Sequence, residues 1–144
     1  MLLLAIAVLL IEDSPGEREL FRQALLRTEL DVALYSEQDG EAALHFLRHR
    51  QELPSLILLD WHLQHQRGDV FLKRLRSEPQ LAAIPVIAFT TSDQAIDLWA
   101  AYANAVNGYV VKPETFEELV HCVEDICRYW LTRNRTPYWV ETTC

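Results

Sequence analysis

Short apolar runs alternate along this chain with longer segments in which apolar residues recur three or four positions apart. The short runs predict β-strands at residues 5–11, 32–35, 56–59, 84–89 and 108–111. The longer segments predict helices over about 15–28, 40–50, 68–77, 93–104 and 114–131. The run at 56–59 is apolar at every position, which is typical of a strand buried on both faces of a sheet.

The residues before the predicted helices are suited to start them. Ser14 can cap the backbone, Pro15 suits the first helical position, and Glu17 completes a capping box with Ser14. The caps predicted for the second and fourth helices are Asp39 and either Ser92 or Asp93.

Strands and helices that alternate in this way predict a parallel sheet with helices on both faces, which is a doubly wound α/β fold. The chain has 144 residues, half of them hydrophobic and 24% charged, as expected for one globular domain. Its formal net charge of −8 argues against a nucleic-acid surface, which needs a basic stripe.

The apolar start of the chain is interpreted as a buried first strand. The run ends at Glu12-Asp13 and is far shorter than the ~20 residues that span a bilayer, so no membrane contact is expected. Cys122, Cys127 and Cys144 have no disulfide-framework spacing, which predicts reduced thiols and a cytoplasmic protein.

Polar groups follow four of the apolar runs at the point where each strand ends. These groups are Glu12 with Asp13, then Asp60, Thr90 and Lys112. Because parallel strands share one carboxyl edge, we expect them to converge there. Three carboxylates, a hydroxyl and an ammonium group are suited to Mg²⁺ and a transferred phosphoryl group.

Each of these residues also has a simpler interpretation. Asp60 could cap the following turn, although a lone charge at the end of so apolar a strand is costly to bury. One of Glu12 and Asp13 could complement a helix dipole. A surface lysine before a turn proline is an equal alternative for Lys112, and Tyr109 could be a half-buried strand aromatic.

Together, the acidic pair Glu12-Asp13, Asp60, Gly68, Thr90 and the pair Lys112-Pro113 make a specific pattern. A chain with these pieces in this order resembles a response-regulator receiver domain, over roughly residues 5–131. Residues 89–92 and 128–131 resemble more narrowly the single-domain regulators that partner phytochrome-type histidine kinases.

The resemblance implies a five-stranded sheet of flavodoxin-like order 2-1-3-4-5 with five helices. Residues 1–131 would form the receiver domain, and 132–144 a C-terminal extension without an output domain. The expected function is that of a phosphoacceptor signalling protein rather than an enzyme, able to catalyse its own phosphotransfer and dephosphorylation. Its partner would be a sensor histidine kinase, which phosphorylates Asp60.

The resemblance also implies a metal site. Asp13 and Asp60 would bind Mg²⁺ directly, the backbone carbonyl of His62 would be a third ligand, and Glu12 would act through water. Many regulators carry Asp where this chain has Glu12.

The remaining site residues would respond to the phosphoryl group. By resemblance, Lys112 contacts Asp60 and then the phosphoryl group, aimed by a cis bond to Pro113. Thr90 hydrogen-bonds a phosphoryl oxygen, and Tyr109 changes its rotamer or exposure.

The expected result is a reshaped surface around helix four, strand five and helix five, for a partner or a homodimer. Aromatic residues on these elements and in the tail are the candidates for it: Trp99, Tyr102, Tyr109, Trp130, Tyr138 and Trp139. A phosphorylation-independent pseudo-receiver is one alternative function. An Asp-nucleophile phosphatase is another, although it needs a second acid where this chain has His62.

Overall fold

The computed structural model describes residues 3–64 and 66–138, so Trp139 and Cys144 lie outside the described residues. Five parallel strands form one sheet in the order β2-β1-β3-β4-β5, which confirms the predicted fold and strand order. The strands are β1 (Leu3–Ile11), β2 (Ala33–Glu37), β3 (Glu52–Leu59), β4 (Val86–Thr90) and β5 (Gly108–Val111).

Five α-helices connect or follow the strands, as predicted. They are α1 (Pro15–Arg27), α2 (Gly40–Arg48), α3 (Gly68–Ser77), α4 (Ala95–Ala103) and α5 (Phe116–Arg128). The last helix was predicted to run to residue 131, but its final turn widens into a π-helix at Tyr129–Arg133.

Alternate residues of the central strands fill two separate cores. Leu9 and Ile11 of β1 point into the core under α2, α3 and α4, whereas Val8 and Leu10 point into the core under α1 and α5. All four are buried, which is why β1 and β3 are apolar almost throughout. The two cores hold the carboxyl ends of the strands in fixed positions.

Two of the predicted helix starts differ from the structure. Ser14 Oγ accepts the Glu17 N–H at 3.2 Å, but the Ser14 N–H donates to Glu12 Oε1, so the reciprocal half of the capping box does not form. The N-cap of α4 is Gln94, whose side chain makes no capping bond, rather than Ser92 or Asp93. Both departures occur beside the strand ends, where these side chains have other partners.

The segment after the π-helix returns to the body of the protein. The Ala83 N–H donates to Tyr138 Oη at 3.1 Å, and the Tyr138 ring packs on the core under α3 and α4. Tyr138 therefore contributes to packing rather than to a free aromatic surface. Within the described ranges, no helix is long and apolar enough to cross a membrane.

Candidate functional site

The carboxyl ends of the strands bring the predicted acids together. Glu12 and Asp13 directly follow β1, and Asp60 directly follows β3, the neighbouring strand. One carboxylate oxygen from each of the three lies within 4.8 Å of the others, close enough for a single metal ion. Carboxylate oxygens in such a group are ligands that Mg²⁺ accepts, together with water and phosphate oxygens.

The loop between β3 and α3 (residues 60–67) is attached to these acids by its backbone. The His62 N–H donates to Asp60 Oδ1 at 3.1 Å, and the Gln64 N–H donates to Asp13 Oδ2 at 2.7 Å. The Asp60 N–H donates to the Ile11 carbonyl, which ties the start of the loop to β1. Asp60, the candidate phosphoacceptor, is thus attached to both β3 and β1.

Lys112, after β5, lies among three carboxylates. Its Nζ is 2.7 Å from Glu12 Oε2, 3.2 Å from Glu17 Oε2 and 3.6 Å from Asp60 Oδ2. The hydrogen bonds of the ammonium group go to the two glutamates rather than to Asp60, which is the partner that the resemblance implied. Glu17 was predicted only as a capping residue, and its contact with Lys112 is a site contact that sequence reasoning missed.

Burial governs the ionisation of this group. It raises the pKa of Glu12 to about 7, although the Lys112 ammonium works in the opposite direction. Burial also disfavours the charged form of Lys112, but the hydrogen bond to Glu12 and the charge of Asp60 outweigh it, and the pKa of Lys112 is raised. The site therefore holds a charged lysine beside the Glu12 carboxyl group, whose pKa is close to neutral pH.

Thr90 and Tyr109 belong to the neighbouring strands β4 and β5. Thr90 ends β4 and is buried, and its carbonyl accepts the Lys112 N–H at 2.8 Å. The Tyr109 hydroxyl donates to the Ser92 carbonyl at 2.8 Å, so the ring is half-buried and turned toward the loop between β4 and α4. No cis peptide bond occurs in residues 3–64 and 66–138, so the Lys112–Pro113 bond is trans, unlike the bond that the resemblance implied.

A second buried carboxylate, Asp97, lies next to the site on the first turn of α4. Its Oδ2 accepts the Ser92 hydroxyl at 2.5 Å and is 2.7 Å from His62 Nε2. The Ser92 hydroxyl, aided by His62, holds the pKa of Asp97 below its usual range. Sequence reasoning missed Asp97 because an acid on the first turn of a helix usually needs no partner beyond the helix dipole.

A family model described as the response regulator receiver domain matches residues 8–124 of this chain. The chain belongs to this family. The predicted family is therefore confirmed, and the chain is a signalling protein of the two-component type.

Two curated relatives match over nearly their whole length. The probable methanogenesis regulatory protein FilR2 of Methanothrix harundinacea is 39% identical over 134 residues, which cover 90% of this chain and 86% of the relative. The response regulator Rcp1 of Synechocystis sp. is 35% identical over 129 residues, which cover 86% of this chain and 88% of the relative.

Solved structures of response regulators are also similar to this chain. The phosphorylated cyanobacterial phytochrome response regulator RcpA superposes with a TM-score of 0.81 at 30% identity, covering 92% of this chain and 98% of that one. The Mn²⁺-bound form of Rcp1 superposes with a TM-score of 0.79 at 32% identity, covering 93% and 100%. The similar structures therefore include a phytochrome response regulator, which belongs to the subgroup that the sequence resembles.

Proposed function

We propose that this protein is a single-domain response regulator that accepts a phosphoryl group on Asp60 from a sensor histidine kinase. The observation that carries the proposal is the group of Glu12, Asp13 and Asp60 within 4.8 Å, with the Lys112 ammonium beside it. Repulsion among three carboxylates in a partly buried site favours a divalent cation, and the lysine is suited to a phosphoryl oxygen.

In this proposal Asp13, Asp60 and the His62 carbonyl would hold Mg²⁺, and Glu12 would act through water. When bound, Mg²⁺ neutralises the charge that accumulates between Asp60 and an incoming phosphoryl group. Rcp1, a relative, has been solved with Mn²⁺ bound, which supports a divalent-cation site in this chain.

The chemistry at Asp60 is a direct phosphoryl transfer. One carboxylate oxygen attacks phosphorus, the bond between phosphorus and the kinase imidazole nitrogen breaks, and the departing nitrogen keeps the electron pair. Lys112 would then donate to a phosphoryl oxygen, and the Thr90 hydroxyl would donate to another. Tyr109 would change its hydroxyl contact in response to the movement of Thr90.

The likeness to RcpA, a phytochrome response regulator, supports a phytochrome-type kinase as the partner. The proposed location is cytoplasmic, which the cysteines support because they have no disulfide-framework spacing. The proposed output surface comprises α4, β5 and α5, and a second copy of the chain is a candidate partner for it. The side chains of Trp99 and Tyr102 support this part of the proposal, since they are 77% and 51% exposed on α4. The charge of −8 gives no support to nucleic acid as a partner.

The test is phosphate incorporation from acetyl phosphate, followed by intact mass. We expect one added phosphate on the wild type with Mg²⁺, and none with EDTA or in Asp60→Asn. Asp31→Asn makes the same change of charge at an exposed residue before β2, outside the site, and should accept phosphate as the wild type does. A wild type that gains no phosphate would leave the pseudo-receiver alternative, and turnover of a phosphate ester would favour the phosphatase.

A further inference from the structure

Asp97 is a buried carboxylate that the proposed phosphotransfer does not use. It is only 5% exposed on the first turn of α4, and the chain places two polar groups, the Ser92 hydroxyl and the His62 ring, against the same oxygen. A buried charge must be compensated by such contacts, so both bonds matter to the position of α4.

His62 has two roles in this arrangement. Its backbone N–H donates to Asp60 Oδ1, while its ring nitrogen contacts Asp97 Oδ2 at 2.7 Å. The residue therefore touches the proposed phosphoacceptor with its main chain and α4 with its side chain. The ring itself is 52% exposed, so packing in the core does not explain its position.

The rest of the loop would transmit a displacement of His62 rather than absorb it. His62 forms an antiparallel bridge with Arg67, and the Gly68 N–H donates to the Trp61 carbonyl at 3.0 Å. The Gln64 N–H is bound to Asp13. Because these contacts restrain the described residues on either side of His62, we expect its backbone and side chain to move together.

Ser92 connects Asp97 to Tyr109, the proposed switch residue. The Ser92 hydroxyl donates to Asp97, and the Ser92 carbonyl accepts the Tyr109 hydroxyl at 2.8 Å. Asp97 thus joins α4 to the loop after β3 and to the loop after β4, through contacts of 2.7 Å with His62 and 2.5 Å with Ser92.

We propose that His62 is a positioning residue that couples the state of Asp60 to the first turn of α4 through Asp97. The inference rests on the proposed function, because phosphorylation of Asp60 changes the charge and bonding of the carboxylate group whose Oδ1 now accepts the His62 N–H. When that bond changes, the His62 ring moves relative to Asp97, and α4 with its exposed aromatics shifts to follow it. Coupling of two sites in this way is a free energy that either site can report.

The experiment compares the wild type with His62→Leu and His62→Gln, using beryllofluoride with Mg²⁺ as the phosphoryl mimic. Leucine keeps the backbone N–H and carbonyl but removes the ring contact with Asp97. Glutamine restores a side-chain N–H at a similar reach and is the matched control. Bound beryllofluoride is measured by ¹⁹F NMR, and hydrogen exchange is measured in the first turn of α4.

We expect the mimic to change exchange in that turn at least about fivefold in the wild type, at the low end of typical allosteric coupling. His62→Leu should bind the mimic but lose most of this change, and His62→Gln should retain it. A merely structural role would alter exchange equally with and without the mimic, which is the readout that separates the two.

Three results would overturn the inference. One is a change in α4 exchange of wild-type size in His62→Leu. Another is loss of mimic binding in His62→Leu, which would make His62 part of the phosphate site itself. The third is a His62→Gln variant that behaves like the leucine variant. A wild type that binds no mimic contradicts the proposed function instead, so the two failures are distinguishable.

Discussion

Lys112 is shared by carboxylates that compete with the proposed phosphoryl group. Glu12 and Glu17 both contact its ammonium more closely than Asp60 does. A phosphoryl group on Asp60 would attract the same ammonium group, so we expect the two glutamates to oppose its approach to Lys112. Glu17 is the weaker and more exposed of the two glutamate partners, since its side chain is 44% exposed, whereas that of Glu12 is 4% exposed.

Replacing Glu17 by glutamine should therefore favour the phosphorylated state. We expect beryllofluoride to bind Glu17→Gln about two- to fivefold more tightly than the wild type, which is the range of an exposed ion pair. Glu19→Gln removes the same charge from the same helix, where Glu19 pairs with Arg22 instead, and should leave the affinity unchanged. Equal affinities for the two variants would show that the contact with Glu17 does not restrain Lys112.

Gly68 is required by the tryptophan that follows the phosphoacceptor. A Cβ at Gly68 would lie 2.6 Å from Cε3 of the fully buried Trp61 ring, whereas a Cβ at Gly16 would meet no atom closer than 3.8 Å. We expect Gly68→Ala to lower the free energy of unfolding by about 1–3 kcal/mol through overpacking. Gly16→Ala, also at a helix start, should be neutral or stabilising by up to about 1 kcal/mol. Urea unfolding measures both, and an unchanged midpoint for Gly68→Ala would contradict the predicted clash.

At the scale of elements, helix α5 has an apolar face that holds a thiol in the core. Cys127 is 2% exposed, and burial raises its pKa from 9.0 to about 11. The folded state therefore keeps the thiol proton more tightly than the unfolded state does. The resulting stabilisation is complete below about pH 9 and is lost as the pH rises through 11.

The stability of the wild type should accordingly fall with alkaline pH more steeply than that of Cys127→Ala. The thiol accounts for a difference of about 2–3 kcal/mol over the full window. Urea unfolding of both proteins at pH 8 and at about pH 10.5 checks this expectation. The comparison cancels the lysines and tyrosines that titrate in the same range, and parallel pH dependences would rule out the contribution of Cys127.

At the scale of the whole molecule, the apolar residues left in solvent concentrate on α4. Ile96, Trp99 and Tyr102 are 74%, 77% and 51% exposed, while the opposite side of the helix packs on the core through Ala100 and Ala101. Ile96 directly precedes Asp97 on this helix, and Trp99 and Tyr102 follow it by two and five residues, so a movement of α4 would change how these side chains are exposed. This face is the proposed surface for a second copy of the chain.

If that proposal holds, the phosphoryl mimic should promote dimerisation. The chain has a mass of 16.7 kDa, and we expect light scattering to give about twice that value at high concentration with beryllofluoride and Mg²⁺. Trp99→Ser should remain at the mass of one chain under the same conditions. A wild-type mass that stays constant across concentration, with and without the mimic, would exclude the homodimer.

The sequence alone determined the order and type of the elements and the residues at the strand ends. Periodicity is a local property, and the β1 and β3 runs are apolar because both of their faces are covered. Since parallel strands share one carboxyl edge, Glu12, Asp13 and Asp60 could be predicted to meet. The capping box was predicted in full but forms only in half, because the Ser14 N–H and the Glu17 carboxylate both have partners in the site.

Only the tertiary structure decided which partner each polar group takes. Lys112 and Glu17 are 95 residues apart, and His62 and Asp97 are 35 apart. Such pairs depend on side-chain reach and on the packing of one loop against another helix, and neither leaves a periodic mark in the sequence. Tertiary packing also explains Gly68, because the ring of Trp61 leaves no room for a side chain at this position. Local patterns therefore located the site, and long-range packing set its contacts.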